Sequence, residues 1–205
     1  GLKKDCVQLI VSKMSSNIGV KHGWEIISEQ LNITKSNGNI IEEIDYENVF
    51  EVYKSIVEEK SGEKFNDDNF FDIAKGYPFG INKLDAEMVV RDPIIENHGS
   101  LVCVGDVPRN SIVNILQGID KNLINAANEA AAIAIEDNNE NSFTIFIDCI
   151  SRVLFLEDKF SNEIAEVYKV NSKLVGALTL GEIANNKDHY LEFYNKTAVV
   201  GSING

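Results

Sequence analysis

The chain has 205 residues, of which 44% are hydrophobic and 25% charged, an ordinary globular composition; plentiful, periodic apolar positions exclude disorder for most of its length, and 14 Gly with 3 Pro exclude a collagen-like or low-complexity chain. Its 19 basic and 32 acidic residues leave a net charge of −13, with only three arginines, Arg91, Arg109 and Arg152. A surface this negative repels phosphate backbones and anionic lipid, which argues against nucleic acid and a membrane surface as partners.

No apolar run approaches the roughly 18 residues that a membrane-spanning helix needs. The segment Lys3-Lys4-Asp5-Cys6 is not followed by the long apolar stretch of a secretory signal. Cys6, Cys103 and Cys149 are odd in number and share no framework spacing, so free thiols and a cytoplasmic location are expected.

In chain order, short apolar runs at 7–11 and 18–20 read as strands, and Asn37-Gly38 between apolar segments predicts a hairpin of 28–35 with 39–44. A helix over 46–60 follows, with Asp45 as its N-cap, Val49, Phe50, Tyr53, Ile56 and Val57 as one apolar stripe, and Ser61-Gly62 as its stop. A shorter helix is predicted at 67–75, capped by Asp67. Residues 79–117 return to strands, with Pro93 arguing against a central position for the strand that contains it. The longest helix is predicted at 120–136, and its alanines, among them Ala127, Ala130, Ala131 and Ala134, require close packing on a neighbour.

Phe143 to Ile147 reads as a central strand, with Cys149-Ile150-Ser151-Arg152 just past its end. A helix at 159–169 and strands at 174–180, 190–194 and 198–200 complete the reading. The irregular interleaving predicts an α+β fold, a mixed and largely antiparallel sheet with helices packed on it.

Phosphate loops, nucleophile elbows, His-Glu-x-x-His and Cys-x-x-Cys motifs are all missing, and His22, His98 and His189 have no metal-ligand neighbours at useful spacing. The suggestive constellation comes late. If the strands ending at Cys149 and at Thr179 are parallel neighbours, Cys149, Arg152, Thr179 and Glu182 converge on one sheet edge, where α/β ligand crevices form. Arg152 could then grip a carboxylate and Glu182 an ammonium; the alternative is that the two pair with each other. Cys149 has no histidine partner and reads as a small buried hydrophobe rather than a nucleophile. Arg91-Asp92 before Pro93 reads as a strand-end ion pair or a ligand contact. His22 is a hydrogen-bonded strand-end residue or a haem ligand. Asn195 and Thr197 read as turn residues that bond their own backbone.

Gly176-Ala-Leu-Thr-Leu-Gly-Glu-Ile183, Tyr190 to Phe193 and Asn195-Lys-Thr197 resemble the end of the C-terminal domain of the FIST family, and Phe146-Ile-Asp-Cys-Ile-Ser-Arg152 resembles its Ser-Cys-Ile-Gly/Ser-Arg segment. Tyr77-Pro-Phe-Gly80, Val90-Arg-Asp-Pro93 and Gly105-Asp-Val-Pro108 match earlier landmarks in order. His22-Gly-Trp24, the strand at Thr34 and Val52-Tyr53 resemble the junction with the preceding FIST N-terminal domain. The sequence departs from the family at Asp148, where Ser is frequent, and at Leu180, where an aromatic is common.

The resemblance implies residues 1–45 as the end of an N-terminal domain and 46–205 as the C-terminal domain. It also implies a bacterial intracellular sensory module, not an enzyme, that binds a small ligand such as an amino acid or small carboxylate and acts on a downstream signalling domain or kinase. Arg152, Glu182, Thr179, Cys149 and Arg91 are the candidate ligand-binding residues, with no metal and no cofactor. A haem-dependent nitric-oxide sensor and a cysteine-dependent hydrolase remain the alternatives.

Overall fold

The strands nearest the N-terminus are shared between two sheets, and that sharing ties the molecule together. A computed structural model describes residues 4, 11, 13–84, 86–135, 142–185 and 190–204. Cys6, His189, residues 7–10 of the first expected strand and Glu136 lie outside the described residues. Strand β1 (Ser16–Lys21) precedes the short β2 (Glu25–Ile26), and β3 (Leu31–Asn37) and β4 (Ile40–Ile44) form the hairpin expected from Asn37-Gly38.

A two-residue strand, β5 (Glu47–Asn48), then delays the first helix. Asp45 is therefore not its cap. It sits in a turn at positive φ and accepts from the Asn32 amide at 3.1 Å. Helix α1 (Val49–Ser61) is capped by Asn48, whose Oδ1 accepts from the Phe50 and Glu51 amides at 3.0 and 3.2 Å. Val49, Tyr53 and Val57 form its buried side, and Gly62 ends it as expected. Helix α2 (Phe70–Ala74) starts later than 67, because the Asn66 and Asn69 side chains accept backbone amides and hold 66–69 in turns.

Strands β6 (Phe79–Ile81), β7 (Val89–Arg91), β8 (Pro93–Asn97), β9 (Ser100–Cys103) and β10 (Ile112–Gln117) follow. They join the hairpin in an antiparallel sheet of order β7-β6-β10-β3-β4-β9-β8, with β2 on β10 and β5 on β4. Pro93 opens the outermost strand of that order, where its missing N–H breaks no inner ladder.

Helix α3 (Asp120–Ile135) leads to β11 (Phe143–Cys149), then α4 (Ile150–Leu156), a single 3-10 turn, and α5 (Phe160–Val170). Strands β12 (Leu174–Thr179), β13 (Glu182–Ala184), β14 (Glu192–Tyr194) and β15 (Ala198–Ile203) close the chain. The second sheet has the order β1-β15-β11-β12, with β11 and β12 parallel and the other pairs antiparallel. Helices α3 and α5 cover one of its faces. The fold is α+β, with 30% helix and 37% strand among the described residues, mostly in antiparallel sheets. Residues 16–44 contribute β1 to this sheet and β2, β3 and β4 to the other.

The alanines of α3 do what their size permits. Ala127, Ala130, Ala131 and Ala134 are buried against Phe146, Val167, Ala198 and Val200. Helix α3 lies so close to β1 that a Cβ on Gly19 would stand 1.9 Å from the Ala130 carbonyl oxygen. Gly19→Ala is expected to push helix and sheet apart at a cost of about 2–3 kcal/mol, read as a lower urea midpoint with an unchanged slope.

Candidate functional site

Parallel pairing places Cys149 opposite Thr179, so the carboxyl ends of β11 and β12 meet at one edge of the sheet. Beyond β11 the chain turns directly into α4, whose first turn carries Arg152 back under the strand ends. Beyond β12 the chain turns at Gly181, at φ 103°, into Glu182. A side chain at Gly181 would strike the Phe193 ring at 2.5 Å, so glycine is required both by the turn and by the ring packed on it.

Arg152 is fully buried and spends every N–H donor inside the protein. Nε donates to Glu163 Oε1 at 3.0 Å and lies 3.2 Å from Asp148 Oδ1. One terminal nitrogen donates to the carbonyls of His22 and Lys196 at 2.6 and 3.2 Å, and the other to the Leu123 carbonyl at 2.9 Å and to Glu163. Arg152 and Glu182 do not form a direct pair; the partners are Glu163 and Asp148. Burial opposes the guanidinium's charge, but Glu163 and Asp148 outweigh it and its pKa rises.

Glu182 is buried beside this centre. Its Oε1 accepts from Thr179 Oγ1 at 3.0 Å, the Cys149 thiol lies against it, and Oε2 has no partner among the described residues. Burial pushes the carboxyl up to about 7, against the opposing hydrogen bonds. Burial and the neighbouring Glu182 push the Cys149 thiol up to about 11, so it is a thiol rather than a nucleophile at neutral pH. Cys103 and Cys149 are both free and buried.

The segment Asn195-Lys196-Thr197 touches four of the five predicted residues, and Thr179 is joined to it only through Glu182. Thr197 Oγ1 donates to the Asn195 carbonyl at 2.7 Å, the local turn bond expected of it. The Lys196 carbonyl accepts from Arg152, the Thr197 amide approaches Glu182, the Lys196 amide approaches Cys149, and Asn195 Oδ1 accepts from Arg91 at 3.3 Å. Lys196 itself is fully buried. Its Nζ donates to the Lys75 carbonyl at 2.8 Å, lies 3.2 Å from Asp92 Oδ1 and stands 4.8 Å above the centre of the Trp24 ring. Asp92 thus pairs with Lys196 and not with its neighbour Arg91. The sequence reading missed Lys196, Glu163 and Asp148 as charge partners.

Arg91 differs from Arg152 in one respect. Nε donates to the Asp106 carbonyl at 2.8 Å, and Nη1 to the Val90 and Phe193 carbonyls at 2.9 and 3.0 Å. The guanidinium lies 5.7 Å from the Phe193 ring centre. Nη2 makes no hydrogen bond to any described residue, and Arg91 is 7% exposed on the wall of a groove of about 650 Å³ that also presents Asn82, Lys83, Asp106, Ser111 and Glu192.

His22 is held neutral. Its Nδ1 accepts from the Trp24 amide at 2.9 Å, Nε2 lies 3.6 Å from Glu87, and burial lowers its pKa to about 4. Among the described residues no group of three or more His, Cys, Asp or Glu could hold a metal ion. Among the described residues no helix is long and apolar enough to cross a membrane.

The family comparison falls on this framework. The model of the FIST C domain matches residues 50–185, and the chain belongs to that family, whose domains are sensory domains of signal-transduction proteins. Neither a curated protein nor a solved structure matches the chain.

Two outcomes follow from the buried charges. Arg152→Leu strands Asp148 and Glu163 and is expected to cost about 3–5 kcal/mol, measured by urea unfolding. The second outcome concerns pH. The folded pKa of Glu182, about 7, exceeds its ordinary 4.5, so this group's contribution is full below 4.5 and is lost as pH rises through 7. His22 has the opposite sign: its folded pKa, about 4, is below 6.5, so its contribution is full above 6.5 and is lost as pH falls through 4. Each difference is worth at most about 3 kcal/mol. Glu182→Gln should therefore gain on the parent protein as pH rises from about 5 to about 8, and His22→Asn as pH falls from about 6.5 to about 4, in unfolding curves taken across that range.

Proposed function

We propose that this chain is a small-ligand sensory domain that recognises a carboxylate or amino acid through Arg91 and changes no bonds in it. The observation that carries this reading is the state of the Arg91 guanidinium. Three carbonyls and Asn195 fix its position, while Nη2 is left for a partner on the wall of an open groove. A guanidinium held in that way is pre-organised for a charge-assisted bond to a carboxylate. Asp106 on the same groove supplies an acceptor for an ammonium, Glu192 being paired with Lys83 at 2.8 Å, and the groove's volume of about 650 Å³ suits a small molecule.

Net charge sharpens the choice. A protein at −13 attracts no anion at long range, so a carboxylate binds only where a fixed cation is offered locally. Arg152, Glu182, Thr179 and Cys149 then act behind the ligand, as the network to which Asn195 connects Arg91. The signal passes to a downstream signalling domain or kinase, in a cytoplasmic setting. The raised thiol pKa of Cys149 favours a sensor over a cysteine-dependent hydrolase.

A thermal-shift screen of amino acids and small carboxylates is expected to yield a ligand that raises the unfolding midpoint. Arg91→Lys should weaken its binding by about 10- to 100-fold in calorimetry, because the forked donor geometry is lost while the charge stays. Ser111→Ala, at the groove's edge, should weaken it less. A carboxylate that binds Arg91→Gln as tightly as the parent protein would overturn the reading.

A further inference from the structure

A second opening lies on the other side of the network. A trough of about 420 Å³ runs between α5 and β12, walled by Phe160, Ile164 and Tyr168 on the helix and Leu178 on the strand, with Asp148 of β11 in its lining. Ile164, Tyr168 and Leu178 are 42%, 55% and 49% exposed, although α5 and β11 both pack on the core through other side chains.

The polar end of the trough is incomplete. Asp148 is 1% exposed. Its Oδ1 accepts from the Cys149 amide at 3.0 Å and lies 3.2 Å from Arg152 Nε, but Oδ2 has no hydrogen-bond partner among the described residues. Glu163 repeats the pattern, with Oε1 on Arg152 and Oε2 unpartnered. One guanidinium thus serves two carboxylates, and Glu182 adds a third negative group nearby. Lys196, the next buried cation, is committed to Asp92 and the Lys75 carbonyl. As ions the three carboxyl groups outnumber the guanidinium by two, and Asp148 Oδ2, Glu163 Oε2 and Glu182 Oε2 all lack a donor among the described residues; of the three residues, Asp148 is the one that lines the trough.

We propose that this trough is a binding site for an amphiphilic ammonium ion, with its nitrogen on Asp148 Oδ2 and its apolar body between α5 and β12. Each alternative ligand class fails on one count. An anion would meet three carboxylates. A purely apolar molecule would leave the buried Oδ2 without a partner, which is costly. An ammonium brings a donor and a positive charge together, and an alkyl or aralkyl body covers the exposed side chains of the trough. Arg91 takes no part in this site, which takes the opposite charge.

The test is thermal unfolding with hexylamine and phenethylamine, set against methylammonium, hexanol and hexanoate at equal ionic strength. At about ten times Kd the two amines are expected to raise Tm by roughly 3–6 °C, and the three controls to leave it in place. Asp148→Asn should remove the response. Because Asp148 also supports Arg152, Leu178→Trp gives a second arm: it fills the trough from a half-exposed position, leaves the ion pairs intact and should also remove the response. The proposal is overturned if neither amine shifts Tm, if hexanol or methylammonium shifts it equally, or if the amine response survives in the folded variants.

Discussion

One buried guanidinium shared by two carboxylates sets the terms for the surrounding structure. Burying Arg152 is tolerable only because all its N–H groups find acceptors, and those acceptors come from α3, α5, β11 and the segments after β1 and before β15. Asp148 and Arg152 are four residues apart, so their pairing requires the chain to turn into α4 at the end of β11. Glu163 adds the requirement that α5 lie back across α4. The strand end, two helices and two loops are thereby fixed around a single side chain. The same arrangement carries an excess of negative charge, and burial with too few cations raises the proton affinity of Asp148 and Glu182 alike.

The segment 195–197 is the second constraint, and it follows from the first. A buried stretch without regular structure must place every backbone polar group somewhere. The Lys196 carbonyl accepts from both Arg152 and the Trp24 ring nitrogen, and the Asn195 carbonyl accepts from Thr197. In return the segment's side chains reach outward, Asn195 to Arg91 and Lys196 to Asp92 and the Lys75 carbonyl. The interior of the molecule and the Arg91 groove are therefore parts of one hydrogen-bonded structure.

Periodicity was enough to read the elements whose side chains alternate cleanly between core and solvent. Helices α1 and α3 and the β3–β4 hairpin are of this kind, and the convergence of Cys149 with Thr179 needed only the condition that their strands be parallel. Helix α4 was illegible for a physical reason. Ile-Ser-Arg-Val-Leu-Phe-Leu is apolar at most positions, so it shows no stripe, and Cys149 at its N-cap makes no side-chain capping bond. The early placement of α1 failed because Asp45 and Asn48 are both cap-forming residues, and the pairing of β4 with β5 decides between them. Arg152's partners did leave a trace. Asp148 interrupts an apolar strand, and Glu163 sits in the stripe of Phe160, Ile164 and Val167, so each is a carboxylate where a hydrophobe belongs. What spacing could not supply was that both meet the same arginine.

The two openings stand at opposite ends of one chain of contacts, from Arg91 through Asn195 to Lys196, and from the Lys196 carbonyl through Arg152 to Asp148. Their electrostatic characters are opposite: the groove offers a free guanidinium donor, the trough a free carboxylate oxygen. A cation bound at Asp148, as proposed, would compete with Arg152 for that carboxylate and so act on the guanidinium that also holds the Lys196 carbonyl. A carboxylate bound at Arg91, as proposed, would compete with Asn195 for the guanidinium at the other end of the same segment. Whatever free energy couples these two binding events acts equally in both directions, because linkage between binding sites is reciprocal. The network itself would therefore favour neither direction, and a response could start at whichever end first met a ligand.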